Sequence, residues 1–275
     1  MVKPSLKIFL PLLISIFFII SGCNIDFLGA IISTDLDERL AERDNFKFLT
    51  GSNRAPSFGQ EYSFIVLTDT HIEDGNAWGL EELADIIADN SKIKFVVVLG
   101  DITQYGGMQD LEKFIEIARS FPIPCYPVIG NHDIYFGNWT VWNDRIGSTN
   151  YTIRGDGTTL FILDTANSLF GKQQLDRLET EIKETQGRIF VFTHSPLFVK
   201  GPVDIQQITD TNERARIISI LRNKCDIMFT GHSHKRVINE AGNVRYINIE
   251  DFKSTKVYCL VSVTASDVTY TFEEL

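Results

Sequence analysis

Little in this chain can build a thiolate-ligated or cross-linked framework. It has four cysteines in 275 residues, Cys23, Cys125, Cys225 and Cys259. They lie far apart and match no metal-cysteine spacing, and three of them left over offer no disulfide framework. Cys125 and Cys225 stand at the start of predicted core strands and Cys259 inside one, so they read as buried thiols. Repeats and low-complexity tracts are absent. Positive charge is also short: the net charge is −10. Residues 1–22 carry two lysines and no acid, so the chain without them carries −12. A surface that acidic argues against a nucleic-acid polymer as the habitual partner. It leaves room for a small phosphorylated substrate, because local charge decides that. The apolar run Ile8 to Ile20 is short for a membrane-spanning helix, which needs about 20 residues.

That run, preceded by Lys3 and Lys7, has the charged and apolar regions of a signal peptide. Ile20-Ser21-Gly22-Cys23 closes it and resembles a bacterial lipobox, in which the cysteine is lipidated and becomes the mature N-terminus. An ordinary cleaved signal and an uncleaved anchor are the other readings. The expectation is a signal peptide over 1–22, a tether over 23–60 and a domain over 61–275. The chain would be held through a lipid on Cys23 in a bacterial cell envelope, outside the cytoplasmic membrane. Within the tether, Thr34 is placed to cap a short helix through Leu40, and Gly51 to Ser57 is rich in turn residues.

With 44% hydrophobic residues, the remainder suits one sizeable domain. Strands near 63–68, 94–99 and 124–129 alternate with helices near 79–89 and 108–119. Leu111, Phe114, Ile115 and Ala118 recur at helical spacing in the second helix. Strands over 150–154 and 159–163 precede a helix over 173–184, a strand over 188–193, a helix over 211–222 and a strand over 226–230. The tail, 235–273, alternates as strands with turns near 241–243 and 265–267. This order implies an α/β fold of stacked sheets with helices outside.

Histidine is as scarce as cysteine, with five in the chain, but its placement is not scattered. His71, His132, His194, His232 and His234 each follow, or lie just beyond, a predicted strand. Asp69 precedes His71, Asp101 follows Gly100, and Asn131 and Asp133 flank His132. In open α/β sheets, ligands bind beyond the carboxyl ends of the strands. Hard divalent metals take oxygen and imidazole ligands, and seven candidates are on offer: Asp69, His71, Asp101, Asn131, His194, His232 and His234. Seven is too many for one ion with an open position. It suits two ions about 3.5–4 Å apart sharing a carboxylate. Only two of the seven are anionic, so a site with two divalent ions stays cationic and attracts a phosphate ester.

The ordered series Asp-x-His, Gly-Asp, Gly-Asn-His-Asp, His, Gly-His-x-His resembles the calcineurin-like metallophosphoesterase superfamily. The likeness covers roughly residues 61–275. The helix with Gly171, Gln174, Leu175 and Leu178 also looks like the family's stretch before its lone histidine. The resemblance implies a four-layer αββα sandwich of two mixed sheets flanked by helices. It assigns one metal to Asp69, His71, Asp101 and His234, and a second to Asp101, Asn131, His194 and His232. It makes His132 the acid that holds a substrate oxygen or protonates the leaving group, with Asp133 supporting from behind. It implies hydrolysis of phosphate esters by a metal-bound hydroxide, with manganese, iron or zinc as the ions.

Two departures stand out. Many relatives carry a carboxylate three residues after the Gly-Asp aspartate, directed at the catalytic histidine. Here that residue is Gln104, so His132 is expected to lack an anionic partner. Tyr105 comes one residue late for the metal-binding tyrosine of purple acid phosphatases, and His71 stands where they have glycine. Tyr135, Phe136, Trp139 and Trp142 are candidates either for contact with a base or lipid or for packing of a short helix. Lys200, in the loop after His194, can form a rim of the cleft or stand in solvent. Three activities fit: a phosphate esterase in general, a cyclic-nucleotide or lipid-headgroup phosphodiesterase in particular, or a metal-bearing surface binding protein without catalysis.

Overall fold

The computed structural model describes residues 34–42, 46–48, 57–199 and 206–275. The signal-like run, Cys23, most of the turn-rich linker and Lys200 lie outside these residues. Among the described residues no helix is long and apolar enough to cross a membrane.

The runs of β-branched and aromatic residues form two mixed sheets. The first contains β1 (Tyr62–Leu67), β2 (Ile93–Val98), β3 (Cys125–Pro127), β10 (Val257–Val263) and β11 (Val268–Glu274), in the order β11-β10-β1-β2-β3. β1, β2 and β3 run parallel, and β10 is antiparallel to both its neighbours. The second contains β4 (Tyr151–Gly155), β5 (Thr158–Ile162), β6 (Arg188–Phe192), β7 (Ile227–Thr230), β8 (Val237–Ala241) and β9 (Val244–Asn248), in the order β4-β5-β6-β7-β9-β8. Its four central strands are parallel.

Both faces of the central strands are covered, which is why their sequences are unbroken apolar runs rather than alternating ones. Phe64, Val66, Phe95 and Val97 point from the first sheet into a shared core with Phe190, Phe192 and Phe229 from the second. The alternate residues Ile65, Leu67, Val96 and Val98 face outward under α2 (Leu83–Asp89), α3 (Met108–Ser120) and α4 (Trp139–Arg145). Ile189, Val191 and Met228 face outward under α5 (Lys172–Glu184) and α6 (Thr211–Leu221). The layers are therefore helix, sheet, sheet, helix, as the resemblance implies. Trp139 and Trp142 are buried in α4, and the packing reading of these two holds. Gln174 is a core residue: its amide donates to the Asp164 and Phe170 carbonyls and accepts from the Asp164 amide. Cys125, Cys225 and Cys259 are free and buried.

Two elements differ from expectation. The tail contains a short helix, α7 (Phe252–Thr255), capped by Asp251. Near the N-terminus, α1 (Leu36–Ala41) is capped by Asp35, whose carboxylate accepts from the Glu38 amide, and not by Thr34. Nor does α1 hang free as part of a tether. Leu36 and Leu40 are buried, and the guanidinium of Arg39 grips Asp164 through two bonds of 2.8 and 2.9 Å. It also donates to Asn167 at 2.6 Å, and neither charged side chain of the Arg39–Asp164 pair is exposed. Removing one partner of such a pair strands a buried charge. Arg39→Met should therefore lower the unfolding free energy by about 3–5 kcal/mol in chemical denaturation. Arg39→Met with Asp164→Leu should recover a large part of that loss.

Candidate active site

The parallel strands end level with one another: Leu67 is in register with Val98, Val98 with Pro127, and Phe192 with Phe229. The chain turns sharply beyond each end, and those turns carry all five histidines into one place. Asp69 Oδ1 lies 3.2 Å from His234 Nε2 and 3.7 Å from His71 Nε2, and these two nitrogens are 3.3 Å apart. On the other side, His194 Nε2 lies 3.0 Å from His232 Nδ1 and 3.1 Å from Asn131 Oδ1. Asp101 stands between the two groups. Its Oδ2 is 3.3 Å from His194 Nε2, and 3.9 Å from both His71 Nε2 and His132 Nε2.

This convergence requires unusual backbone. Asp69, His71, Asp101, His232 and His234 all have φ between 41° and 68°. Non-glycine residues visit that left-handed region rarely, and such strain collects at functional sites. Close packing of the turns also fixes residue type. A Cβ on Gly130 would fall 2.2 Å from the Asp101 amide nitrogen, and one on Gly231 would fall 1.9 Å from Thr68 Oγ1. The glycines beside the chemical residues are there because two turns touch.

Hydrogen bonds from behind hold the side chains. Asp69 Oδ2 accepts from Thr68 Oγ1 at 2.6 Å and from the His232 amide at 2.9 Å. Asp101 Oδ1 accepts from the His132 amide at 2.9 Å. His194 Nδ1 donates to the Leu99 carbonyl at 2.8 Å, which leaves the lone pair of its neutral form on Nε2, facing inward. Asp133 does not touch His132. Its carboxylate accepts from the Thr103 amide and hydroxyl and from the Gly130 amide, tying two turns together.

His132 has a partner that side-chain reading could not supply. Its Nδ1 bonds the main-chain carbonyl of Gln104 at 2.8 Å. The Gln104 side chain turns instead to Lys253 Nζ, 3.4 Å away. A carbonyl only accepts, so Nδ1 carries the hydrogen and Nε2 faces the centre. The ring is thus oriented by a main-chain carbonyl, while the Asp101 carboxylate lies 3.9 Å from its other nitrogen. Reading by residue type also missed Asn248 and Asp251. Asn248 donates to Ser233 Oγ and the Lys235 carbonyl, 2.8 Å each, and holds the double-histidine turn. Asp251 Oδ1 lies 4.0 Å from His234 Nδ1. Their signal was present, since Asn248 is the last residue of β9 and Asp251 lies just beyond it, next to β7.

The electrostatics identify what the cluster is built to hold. Burial disfavours charge on Asp69, but the imidazoles of His234 and His71 overcome it and keep the carboxyl well below the usual range. Asp101 is likewise buried, and the charge of His194 beside it wins, holding it low. Burial would lower His194, but Asp101 lifts it to about 9. Burial and the neighbouring His194 depress His232 to about 4. Burial lowers His132 against the opposing pull of Asp101. Burial and the charge of Asp101 push Asp133 up to about 7. Asp69 Oδ1 is buried without a hydrogen-bond partner. Carboxylate, amide and imidazole acceptors thus face one another across a small space, an arrangement that repels itself unless a cation occupies it. The ligand atoms of Asp69, His71 and His234 lie within 4.8 Å of one another, as do those of Asp101, His194 and His232. No thiolate takes part, so the donor set fits hard or borderline divalent metals.

Two stacked mixed sheets with an oxygen- and imidazole-lined cleft at their strand ends define a metallohydrolase. The chain belongs to the calcineurin-like phosphoesterase family, whose profile matches residues 62–236, and it is a metal-dependent hydrolase of phosphoric esters. It is 26% identical over 199 residues to a probable cyclic nucleotide phosphodiesterase of Rhodopseudomonas palustris, covering 63% of this chain and 72% of the relative. It is 23% identical over 197 residues to a protein of the same description from Colwellia psychrerythraea, covering 64% and 72%. A dimetal phosphatase from Danio rerio shares the fold with a TM-score of 0.58 at 14% identity, over 76% of this chain and 98% of that one.

Asp133→Asn tests the tie between the turns. The new amide can accept from Thr103, but its NH2 would face the Gly130 N–H. We expect a folded protein whose kcat/KM on a chromogenic phosphate ester falls about 10- to 100-fold.

Proposed function

We propose that the chain is a phosphodiesterase acting on cyclic nucleotides through two divalent cations. One would be held by Asp69, His71, Asp101 and His234, the other by Asp101, Asn131, His194 and His232. The observation that carries the pair of cations is the position of Asp101 Oδ2, a single buried oxygen facing the nitrogens of both groups. Manganese, iron and zinc suit these donors. When bound, the ions supply Lewis acidity that neutralises phosphate charge and acidifies water.

The protein's own part is orientation and proton handling. Asp69 and Asp101 bring two negative charges, so the loaded site keeps net positive charge and draws an anionic ester into an acidic protein. His132, turned by the Gln104 carbonyl, presents Nε2 to the space above Asp101. In its protonated form it would give that proton to the departing oxygen. The main-chain bond to Gln104 supplies the orientation that a carboxylate gives elsewhere. The descriptions of the relatives support a cyclic nucleotide as substrate. The Lys3–Cys23 sequence supports a lipid anchor at Cys23, which would hold the enzyme in a bacterial cell envelope, outside the cytoplasmic membrane.

Asp101→Asn and His234→Ala should each lower hydrolysis of a bis-ester by more than about a hundredfold while circular dichroism is unchanged. Near wild-type turnover from either variant would refute the assignment. Elemental analysis of the purified protein should find close to two metal ions per chain. Mass spectrometry of the mature chain should find acylated Cys23 as its first residue, and an unmodified Cys23 would remove the anchor.

A further inference from the structure

Four large apolar side chains are well exposed among the described residues: Tyr105, Met108, Phe136 and Ile238. Two of them, Tyr105 and Phe136, sit on adjoining loops next to His132. Phe136 is 70% exposed and Tyr105 is 49% exposed, with ring centroids 6.4 Å apart. Phe136 also packs edge-on against Tyr135 at 5.9 Å, and Tyr135 lies 4.5 Å from the His132 ring. A continuous line of rings therefore leads outward from the candidate proton donor.

The loops are built to hold this arrangement. Asn138 Nδ2 donates to the Tyr105 carbonyl at 2.7 Å. A Cβ on Gly106 would fall 2.5 Å from the Asp133 carbonyl oxygen, so the two loops lie in contact. The Tyr135 hydroxyl accepts from Asn131 Nδ2, which fixes that ring to a metal-site residue. Phe136 itself has φ of 56°. A bulky side chain in the left-handed region is an outlier, and this one gains little burial in return. Core packing does not account for it. Strain of this kind is kept where a ligand uses it.

We propose that Phe136, backed by Tyr105 and Tyr135, is the platform on which the base of a cyclic nucleotide stacks while its phosphate sits at the metal cleft. This rests on the cyclic-nucleotide reading and goes further by naming the residue that distinguishes a nucleotide from other diesters. An exposed ring face accepts any planar base, so selectivity among bases would be weak. The platform acts on binding and leaves the proton transfers to His132.

The test compares wild type, Phe136→Ala, Phe136→Trp and Tyr105→Ala on adenosine 3′,5′-cyclic phosphate and on ribose 3,5-cyclic phosphate, which lacks the base. Loss of one base–aromatic stack corresponds to about 5- to 150-fold in affinity. We expect Phe136→Ala to lower the nucleotide-to-ribose ratio of kcat/KM at least about fivefold, mainly through KM, and Phe136→Trp to restore it. Tyr105→Ala should show a smaller fall. Wild-type cleavage of the nucleotide with a ratio unchanged in Phe136→Ala would overturn the platform and leave the cyclic-nucleotide reading standing. The reverse case is also separable. If wild type cleaves no cyclic nucleotide, adenosine 5′-phosphate and ribose 5-phosphate are compared as inhibitors of bis-ester hydrolysis. Stronger inhibition by the nucleotide that vanishes in Phe136→Ala would support the platform with the substrate reading lost. Equal inhibition by the two would overturn both. A Phe136→Ala defect confined to phospholipid in vesicles would overturn the base platform in favour of membrane contact.

Discussion

Two buried carboxylates fix the design of this protein. Asp69 and Asp101 sit beyond the ends of neighbouring strands with almost no exposure, and imidazoles face each of them from both sheets. An isolated buried anion would neutralise or open a path to water. Here positive charge can reach both from the same space. Asp101 lifts His194 to about 9 against the opposing effect of burial. The site joins the two sheets, because His194 and His232 belong to one sheet's turns and Asp69 and Asp101 to the other's. The His232 amide bond to Asp69 Oδ2 is a direct link between them.

The cost of the arrangement is carried by the backbone. Five of the chemical residues take left-handed conformations, and glycine is imposed at neighbouring positions by turns that touch. Packed strand ends make this tolerable. Phe252 and Lys253 donate their amides to the Thr68 and Asp69 carbonyls at 2.9 and 3.2 Å, so even the residues at the end of β1 keep partnered main-chain groups. The chemical side chains gain a fixed geometry from a framework that is apolar on both faces of each sheet.

Much of this was legible in the residue order. Unbroken runs such as Phe95 to Leu99 announce strands covered on both sides, and the spacing of Leu111, Phe114, Ile115 and Ala118 announces a helix with one buried face. Polar clusters just past each strand announce where chemical groups gather. What stayed hidden depends on main-chain acceptors and distant partners. The carbonyl that turns His132 belongs to Gln104, and any residue there would offer one. Arg39 in a short polar helix reads as a surface residue, because nothing nearby in sequence reveals Asp164, 125 positions away. The four-residue α7 is too short to leave a periodic signal.

The grip of Arg39 also sets where the polypeptide enters the domain. Asp164 follows β5, and its neighbour Thr165 is bonded to Thr193 and Ser195 on either side of His194. Arg39 Nη1 reaches back to the Thr34 carbonyl at 3.4 Å. The entry point is thus linked through Asp164 and Thr165 to the turn that carries His194. Ten residues lie between Cys23 and Thr34, a leash of at most about 40 Å over its eleven steps when fully drawn out. Any group carried at Cys23 is therefore held within that radius of Thr34.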